Sequence, residues 1–339
     1  MSSLVSIIIL NLNGEKFLKD CFECLKKQTY QNSEVILVDN GSTDNSINFV
    51  KKNFPQVKII ANKRNLGFAQ ANNQGFKRAK GDYIVTLNND TKAGEKWLQN
   101  LILAAESDEK IGMVASKILS LKNPSLIDSV GVNICLDGMS RGRGRLEIDK
   151  GQYDKIEEIL LPSACAALYR RKMLREIGFF DESFFAYCED TDLGLRGRLA
   201  GWKAVLAPQA VVYHYYSGTG GKYSSFKVYL VERNYVWVAV KNFPLELLML
   251  FPFFIFYRFI LQFYAVLAKK GATSEFLEKF SFFDSVKTVS KACFDALKKL
   301  PEFIRKRRVI QRDKKIFRKE FYRLLKNYKL SFVELVFKK

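Results

Sequence analysis

The sequence predicts an α/β fold, a mostly parallel sheet flanked by helices, followed by a helical and basic C-terminal region. Three observations carry this reading. Apolar runs alternate with helix-spaced segments as far as residue 90. Clusters of acidic and amide side chains stand at the carboxyl ends of these runs, where open parallel sheets bind ligands. Beyond residue 245 a long apolar segment gives way to a basic tail.

Residues 4–10 read as the first strand, ending in Asn11-Leu12-Asn13-Gly14, and Phe17, Leu18, Cys21, Phe22 and Leu25 then recur at helical spacing. A second strand at 34–38 ends in Asp39-Asn40-Gly41-Ser42-Thr43-Asp44, where Ser42, Thr43 and Asp44 offer N-cap oxygens to a helix reaching about residue 53. A short strand at 57–61 precedes Asn65-Leu66-Gly67, and Gly67 opens a helix ending near residue 80. The buried run 83–87 ends in Asn88-Asn89-Asp90. A third acidic cluster, Glu189-Asp190-Thr191-Asp192, lies farther on, with Arg196 four residues after Asp192 and able to pair with it on a helix. The pattern is Rossmann-like but lacks Gly-x-Gly-x-x-Gly, which disfavours a dinucleotide on a helix N-terminus.

The chain opens directly into a strand with no basic leader or small-residue cleavage site, so it is expected in the cytosol or on its face. Six cysteines are scattered, and only Cys21 and Cys24 form a C-x-x-C pair. Without a second pair to complete a zinc site, helix-face packing is the expected role, and free thiols suit a reducing compartment. Residues 268–339 hold 21 Lys and Arg against 8 Asp and Glu, +13 of the total +20. Ahead of them, residues 245–267 are long and apolar enough to span a bilayer but carry Glu246, Pro252, Arg258 and Gln262. A single crossing would place the basic tail on the far side, against the positive-inside bias. The expectation is a helix broken near Pro252 that lies in or dips into the interface, with the tail on anionic headgroups. Burial in a soluble domain, a homodimer interface and a true span are the competing uses of that segment. Residues 301–329 read as an amphipathic helix pair, and no nucleic-acid motif appears, so no nucleic-acid partner is expected. The domain division read here is 1–225 and 226–339.

The Asn-x-Asn-Gly turn, Asp39-Asn40-Gly41-Ser42-x-Asp44, Asn65-Leu66-Gly67-Phe68, Asn88-Asn89-Asp90, Glu189-Asp190-x-Asp192-Leu193-x-x-Arg196 and Tyr213-His214 occur in the order of a known family. The chain resembles glycosyltransferase family 2, with its GT-A fold, and within it the branch often described as rhamnosyltransferases. The resemblance implies that Asp90, in the slot of the family's Asp-x-Asp, binds Mn2+ or Mg2+. Asn88 replaces the first Asp of that motif and is left to bond a ribose hydroxyl. His214, the only histidine, corresponds to a residue that completes the metal site in related galactofuranosyltransferases. Asp190 corresponds to the general base, with neighbouring Glu189 orienting the acceptor or tuning the base. Asp39 corresponds to the residue that reads a pyrimidine ring, and Asn11, Asn13, Asn65, Gly67 and Asn89 belong to the same nucleotide-sugar site. The Gly-rich residues 218–221 are either a closing loop over the diphosphate or a plain connector. Residues 163–167 match a segment beneath the acceptor, with Ala164 where Gly is usual.

The function implied is a metal-dependent inverting glycosyltransferase on the cytoplasmic membrane face, monotopic or peripheral. It would move a sugar from a nucleotide-diphosphate donor, dTDP-rhamnose favoured, to a lipid-linked or glycan acceptor of a surface polysaccharide. The alternatives are a UDP-hexose or UDP-N-acetylhexosamine transferase of the same fold, and a non-catalytic membrane-binding scaffold.

Overall fold

The computed structural model describes residues 2–215, 224–277 and 280–338. The chain divides into two compact units, residues 1–132 with 142–222 and residues 133–141 with 223–339.

The first unit starts as β1 (Val5–Asn11), α1 (Glu15–Lys26), β2 (Ser33–Asp39), α2 (Ser46–Asn53), β3 (Lys58–Ala61), α3 (Phe68–Arg78) and β4 (Tyr83–Asn88). It continues through β5 (Thr91–Ala93), α4 (Trp97–Glu106), β6 (Ile111–Ser120) and β7 (Ile127–Ser129); the hairpin of β8 (Val132–Ile134) and β9 (Ser140–Gly142) that comes next belongs to the second unit except for its end residues. Then follow β10 (Glu157–Ile159), β11 (Ala166–Arg170), α5 (Arg171–Ile177), α6 (Glu189–Leu199) and β12 (Lys203–His214).

The main sheet runs β10-β12-β6-β11-β4-β1-β2-β3, with β5 added to β12 and β7 to β6. β4, β1, β2 and β3 are mutually parallel, whereas β11 is antiparallel to both β4 and β6. Both faces are covered, so the strands read as nearly continuous apolar runs. Ile7 and Ile9 join a core with Leu18, Phe22 and Val50, while Ile8 joins another with Ala69 and Ala71, the period of two expected of a strand.

Register brings the motifs into line. Asn11 lies opposite Asp39 and Leu10 opposite Asn88, so β1, β2 and β4 end side by side. β5 carries Thr91 opposite His214 and thereby sets Asp90 beside the end of β12.

The cap expected of Ser42, Thr43 and Asp44 is met by Asp44 alone. α2 begins at Ser46 and its N-cap residue, Asn45, makes no side-chain cap bond; Asp44 Oδ1 instead accepts from the Ser46 N–H. Ser42 and Thr43 are drawn away from capping because they bond to Asp39 and Asn13.

The second unit holds α7 (Ser225–Asn242), α8 (Leu245–Leu267), α9 (Gly271–Leu277), α10 (Phe282–Lys298), α11 (Leu300–Asp313), α12 (Arg318–Asn327) and α13 (Phe332–Phe337). α8 is one helix through Pro252, not the broken helix expected. Leu247, on one side of the proline, and Arg258 and Ala265, on the other, are all buried, so packing along one face holds both halves in a single helix.

Arg258 is fully buried, with Nε 2.7 Å from Asp137 and its two terminal nitrogens 2.9 and 3.0 Å from the Glu232 oxygens. Such bidentate pairing offsets the desolvation of a buried guanidinium. The charge that interrupts the apolar run is therefore turned inward. The opposite face of α8 exposes Met249, Phe253, Phe256, Ile260, Phe263 and Leu267, at spacings of three and four. Asp137 belongs to residues 133–141, which explains why this hairpin segment joins the second unit although it lies early in the chain. All six cysteines are free, and Cys21 packs in the core under α1.

Candidate active site

The β1 and β2 ends are tied by one buried network. Asn11 Nδ2 donates to Asp39 Oδ2 at 2.9 Å, and Asn89 Nδ2 donates to Asn11 Oδ1 at 2.7 Å. Ser42 gives its Oγ–H to Asp39 Oδ2 at 2.6 Å and its N–H to Oδ1 at 2.9 Å. Asn13 Oδ1 accepts the Thr43 N–H at 2.8 Å. Gly14 has no room for a side chain, since a Cβ would overlap both Asn89 Nδ2 and Asn11 Oδ1. Much of the Asn-x-Asn-Gly and Asp-Asn-Gly-Ser pattern thus goes into shaping the strand ends. Asp39 is fully buried, with three donors on a carboxylate that offers about four lone-pair sites.

Asn65 and Gly67 are held by a residue the sequence reading did not single out. Asn40 donates to Asn65 Oδ1 at 2.8 Å and to the Gly67 carbonyl at 3.3 Å, and accepts from Asn62 and from the Leu66 N–H. Gly67 takes φ +85° and lies against Phe185, whose carbonyl accepts the Ala69 N–H. Its structural work is to seat the loop before α6 on the start of α3.

At the ends of β4 and β12, His214 Nε2 lies 3.3 Å from Asp90 Oδ1 and 3.5 Å from Asn88 Nδ2. Nδ1 of the same ring lies 2.7 Å from Asp128 Oδ2, and Asp128 Oδ1 pairs with Arg145 at 2.7 Å. Sequence reasoning missed Asp128. It stands in the three-residue β7, 86 positions from His214, and no local pattern links them. Burial works against a charged His214, but Cys165, Asp128 and Asp90 around it hold its pKa well above the usual imidazole value. Asp128 is likewise opposed by burial yet held below the usual carboxylate range by His214 and Arg145.

Two cis ligands of one divalent ion, each bonded at about 2.1 Å, stand about 3 Å apart, close to the Asp90–His214 separation. The pair therefore fits a cation. Among the described residues no group of three or more His, Cys, Asp and Glu side chains forms a cage. An ion held by two protein groups would need further oxygen ligands from outside the chain, as hard cations do. Binding at Nε2 would release the proton that the ring carries.

Glu189 and Asp190 open α6 after a backbone in which Phe185, Tyr187 and Cys188 all take positive φ. Asp190 Oδ2 accepts the Ala164 N–H at 3.2 Å and Oδ1 the Thr191 N–H at 2.7 Å. Ala164 thus holds the acid through its backbone. The next residue, Cys165, accepts the Asn88 N–H at 2.8 Å and links this cluster to the β4 end. Asp192 and Arg196 pair at 2.8 Å, while Arg196 also binds the carbonyls of Ile177 and Gly178, a helix-anchoring role. The Gly-rich residues 218–221 lie outside the described residues.

Burial raises the Asp190 pKa despite its backbone donors. Glu189 is raised well above the usual value, by burial and then by Asp190, and its Oε2 is buried with no hydrogen-bond partner. A carboxyl raised in the folded state contributes fully below its unfolded pKa and loses that contribution as pH rises through the folded value. Glu189→Gln removes this loss. The expected result is a stabilisation at pH 7.5 that shrinks toward pH 4.5, read as the difference in Tm between variant and parent. An equal difference at both pH values would contradict the burial argument.

The mixed sheet, a parallel half continued by an antiparallel strand and flanked by helices, is a glycosyltransferase fold of the GT-A type. Glycosyl transferase family 2 matches residues 6–178, and the chain belongs to that family. It is 40% identical over 104 residues to glycosyltransferase GlyG of Streptococcus pneumoniae serotype 4, covering 30% of this chain and 35% of that relative. It is 25% identical over 270 residues to the N-acetylglucosaminyl-diphospho-decaprenol L-rhamnosyltransferase of Mycobacterium tuberculosis, covering 70% of this chain and 87% of the relative. The chain thus spans about a third of the length of the first of these and most of the second. In fold it is similar to GalNAc-T7, solved with UDP, GalNAc and Mn2+, with TM-score 0.59, 19% identity and coverage of 70% of this chain and 48% of that one.

Proposed function

We propose that this chain is an inverting, divalent-metal-dependent glycosyltransferase that moves a sugar from a nucleotide-diphosphate donor to a lipid-linked or glycan acceptor of the cell envelope. The observation that carries the reading is the meeting of Asp90 and His214 across β4 and β12 at 3.3 Å. Asp90 and His214 would hold the cation, which would supply positive charge against the diphosphate leaving group. Asn11, Asn13, Asp39, Asn65, Gly67, Asn88 and Asn89 shape the donor side, with Asp39 held from within by Asn11 and Ser42. Asp190 takes the acceptor hydroxyl proton as the acceptor oxygen bonds to the anomeric carbon and the bond to diphosphate breaks. Glu189 supports it from the same helix start. dTDP-rhamnose is the favoured donor, in keeping with the rhamnosyltransferase relative. UDP-hexoses and UDP-N-acetylhexosamines are the rivals.

A panel of nucleotide sugars tested by thermal shift with Mn2+ decides the donor. The preferred donor is expected to stabilise the protein by about 2.7 kcal/mol at a hundredfold excess over its Kd, and to be turned over. No shift and no turnover across the panel would favour the scaffold reading instead.

We further propose that residues 1–225 act as the catalytic part and 226–339 as a membrane-associating part on the cytoplasmic face. α8 is 23 residues long with mean hydropathy 1.7, enough by length and composition to cross a bilayer. Its two-faced packing suits a helix lying in the interface, with the basic tail on anionic lipid. Full-length protein should bind anionic vesicles more weakly as salt rises, each surface Lys or Arg contributing about 1 kcal/mol. Phe256→Glu with Phe263→Glu, both on the exposed face, should abolish the salt-resistant part of that binding. Release of the parent protein by salt alone would count against α8 as an anchor.

A further inference from the structure

We propose that Asp128 is a positioning residue of this site: it fixes the His214 ring so that Nε2 faces Asp90. The inference rests on the proposed metal site but is carried by its own geometry. His214 ends β12 opposite Ser120 of β6, and β7 pairs with the end of the same strand, Leu119 opposite Ile127. β6 therefore carries the imidazole on one side and the carboxylate on the other. At 2.7 Å from Nδ1, Asp128 Oδ2 accepts that nitrogen's proton in a charge-assisted bond.

An imidazole whose Nδ1 proton is held has only Nε2 to offer a ligand, and a carboxylate in this place also raises the basicity of Nε2. Arg145 closes the chain at 2.7 Å, so the carboxylate is itself fixed at its second oxygen and cannot turn to compete for the ion. Asp128 is partly buried, with its side chain 12% exposed, which limits screening of both bonds. The sequence of contacts is Arg145, Asp128, His214, Asp90. Only the last two present atoms to the space where an ion fits.

The chain has a single histidine, so protein labelled with 15N-histidine and freed of any tag gives the signals of His214 alone. Without metal, the parent should show a far-downfield Nδ1 proton, hydrogen-bonded to carboxylate. Asp128→Ala should lose that signal and weaken Mn2+ binding, measured by the free-ion EPR signal, by about 10–100-fold. Asp128→Asn, which keeps the shape, should shift the proton upfield and weaken Mn2+ binding less, and it serves if the alanine variant does not fold. An unchanged Nδ1 proton and unchanged Mn2+ affinity in a folded variant would overturn the proposal. A parent protein that shows the proton but binds no Mn2+ would defeat the metal reading while leaving the orientation of His214 by Asp128 in place.

Discussion

Asp190→Asn is expected to lower turnover by about two to four orders of magnitude while donor affinity stays nearly the same. The amide keeps the shape of the carboxyl and its backbone partners at Ala164 and Thr191 can still donate to its oxygen, but it cannot accept the acceptor's proton. The pH profile adds a second readout. Burial raises the Asp190 pKa, so below the raised value the acid is protonated and idle. The parent's rate should therefore climb with pH through a limb lying above the ordinary carboxylate range, and that limb should be missing from the residual rate of the variant. Loss of donor binding as severe as the loss of turnover would place Asp190 in donor recognition.

Asp90→Ala and His214→Ala should each weaken metal-dependent donor binding by more than the roughly 10–100-fold that loss of a supporting partner costs. The 3.3 Å separation of their facing atoms predicts strong coupling. Once either group is gone the ion has lost its chelate, and removing the second adds little, so the double variant should be far less impaired than the sum of the two. Calorimetric titration with Mn2+ and donor measures the cycle. Full Mn2+-dependent turnover in His214→Ala would remove the ring from the site.

The strand–helix alternation was legible because strands covered on both faces leave long apolar runs, and the turn residues between them are short and polar. The same property made Asp39 and Asp90 visible, because each follows closely on such a run, whereas Asp190, at the start of α6, was marked by the family resemblance. The family resemblance also implied a donor-side role for Asn65 and Gly67. What they do was not legible: Gly67 turns out to meet Phe185, and Asn40, quoted in its motif without a role of its own, holds the loop together. Pro252 read as a break because local propensity argues against it. Packing of one helix face on both sides of the proline outweighed that preference.

By itself the sequence determined the family, the strand–helix alternation as far as residue 90, and the polar side chains at the ends of those strands, because these depend on patterns within a few residues. Only the tertiary structure decided that Asp128 backs His214 and that Arg258 turns inward to Asp137 and Glu232. Those partners are separated by 86, 121 and 26 positions, and a hydrogen bond between residues so far apart leaves no periodicity to read. It exists only because sheet register and helix packing bring the side chains within 3 Å.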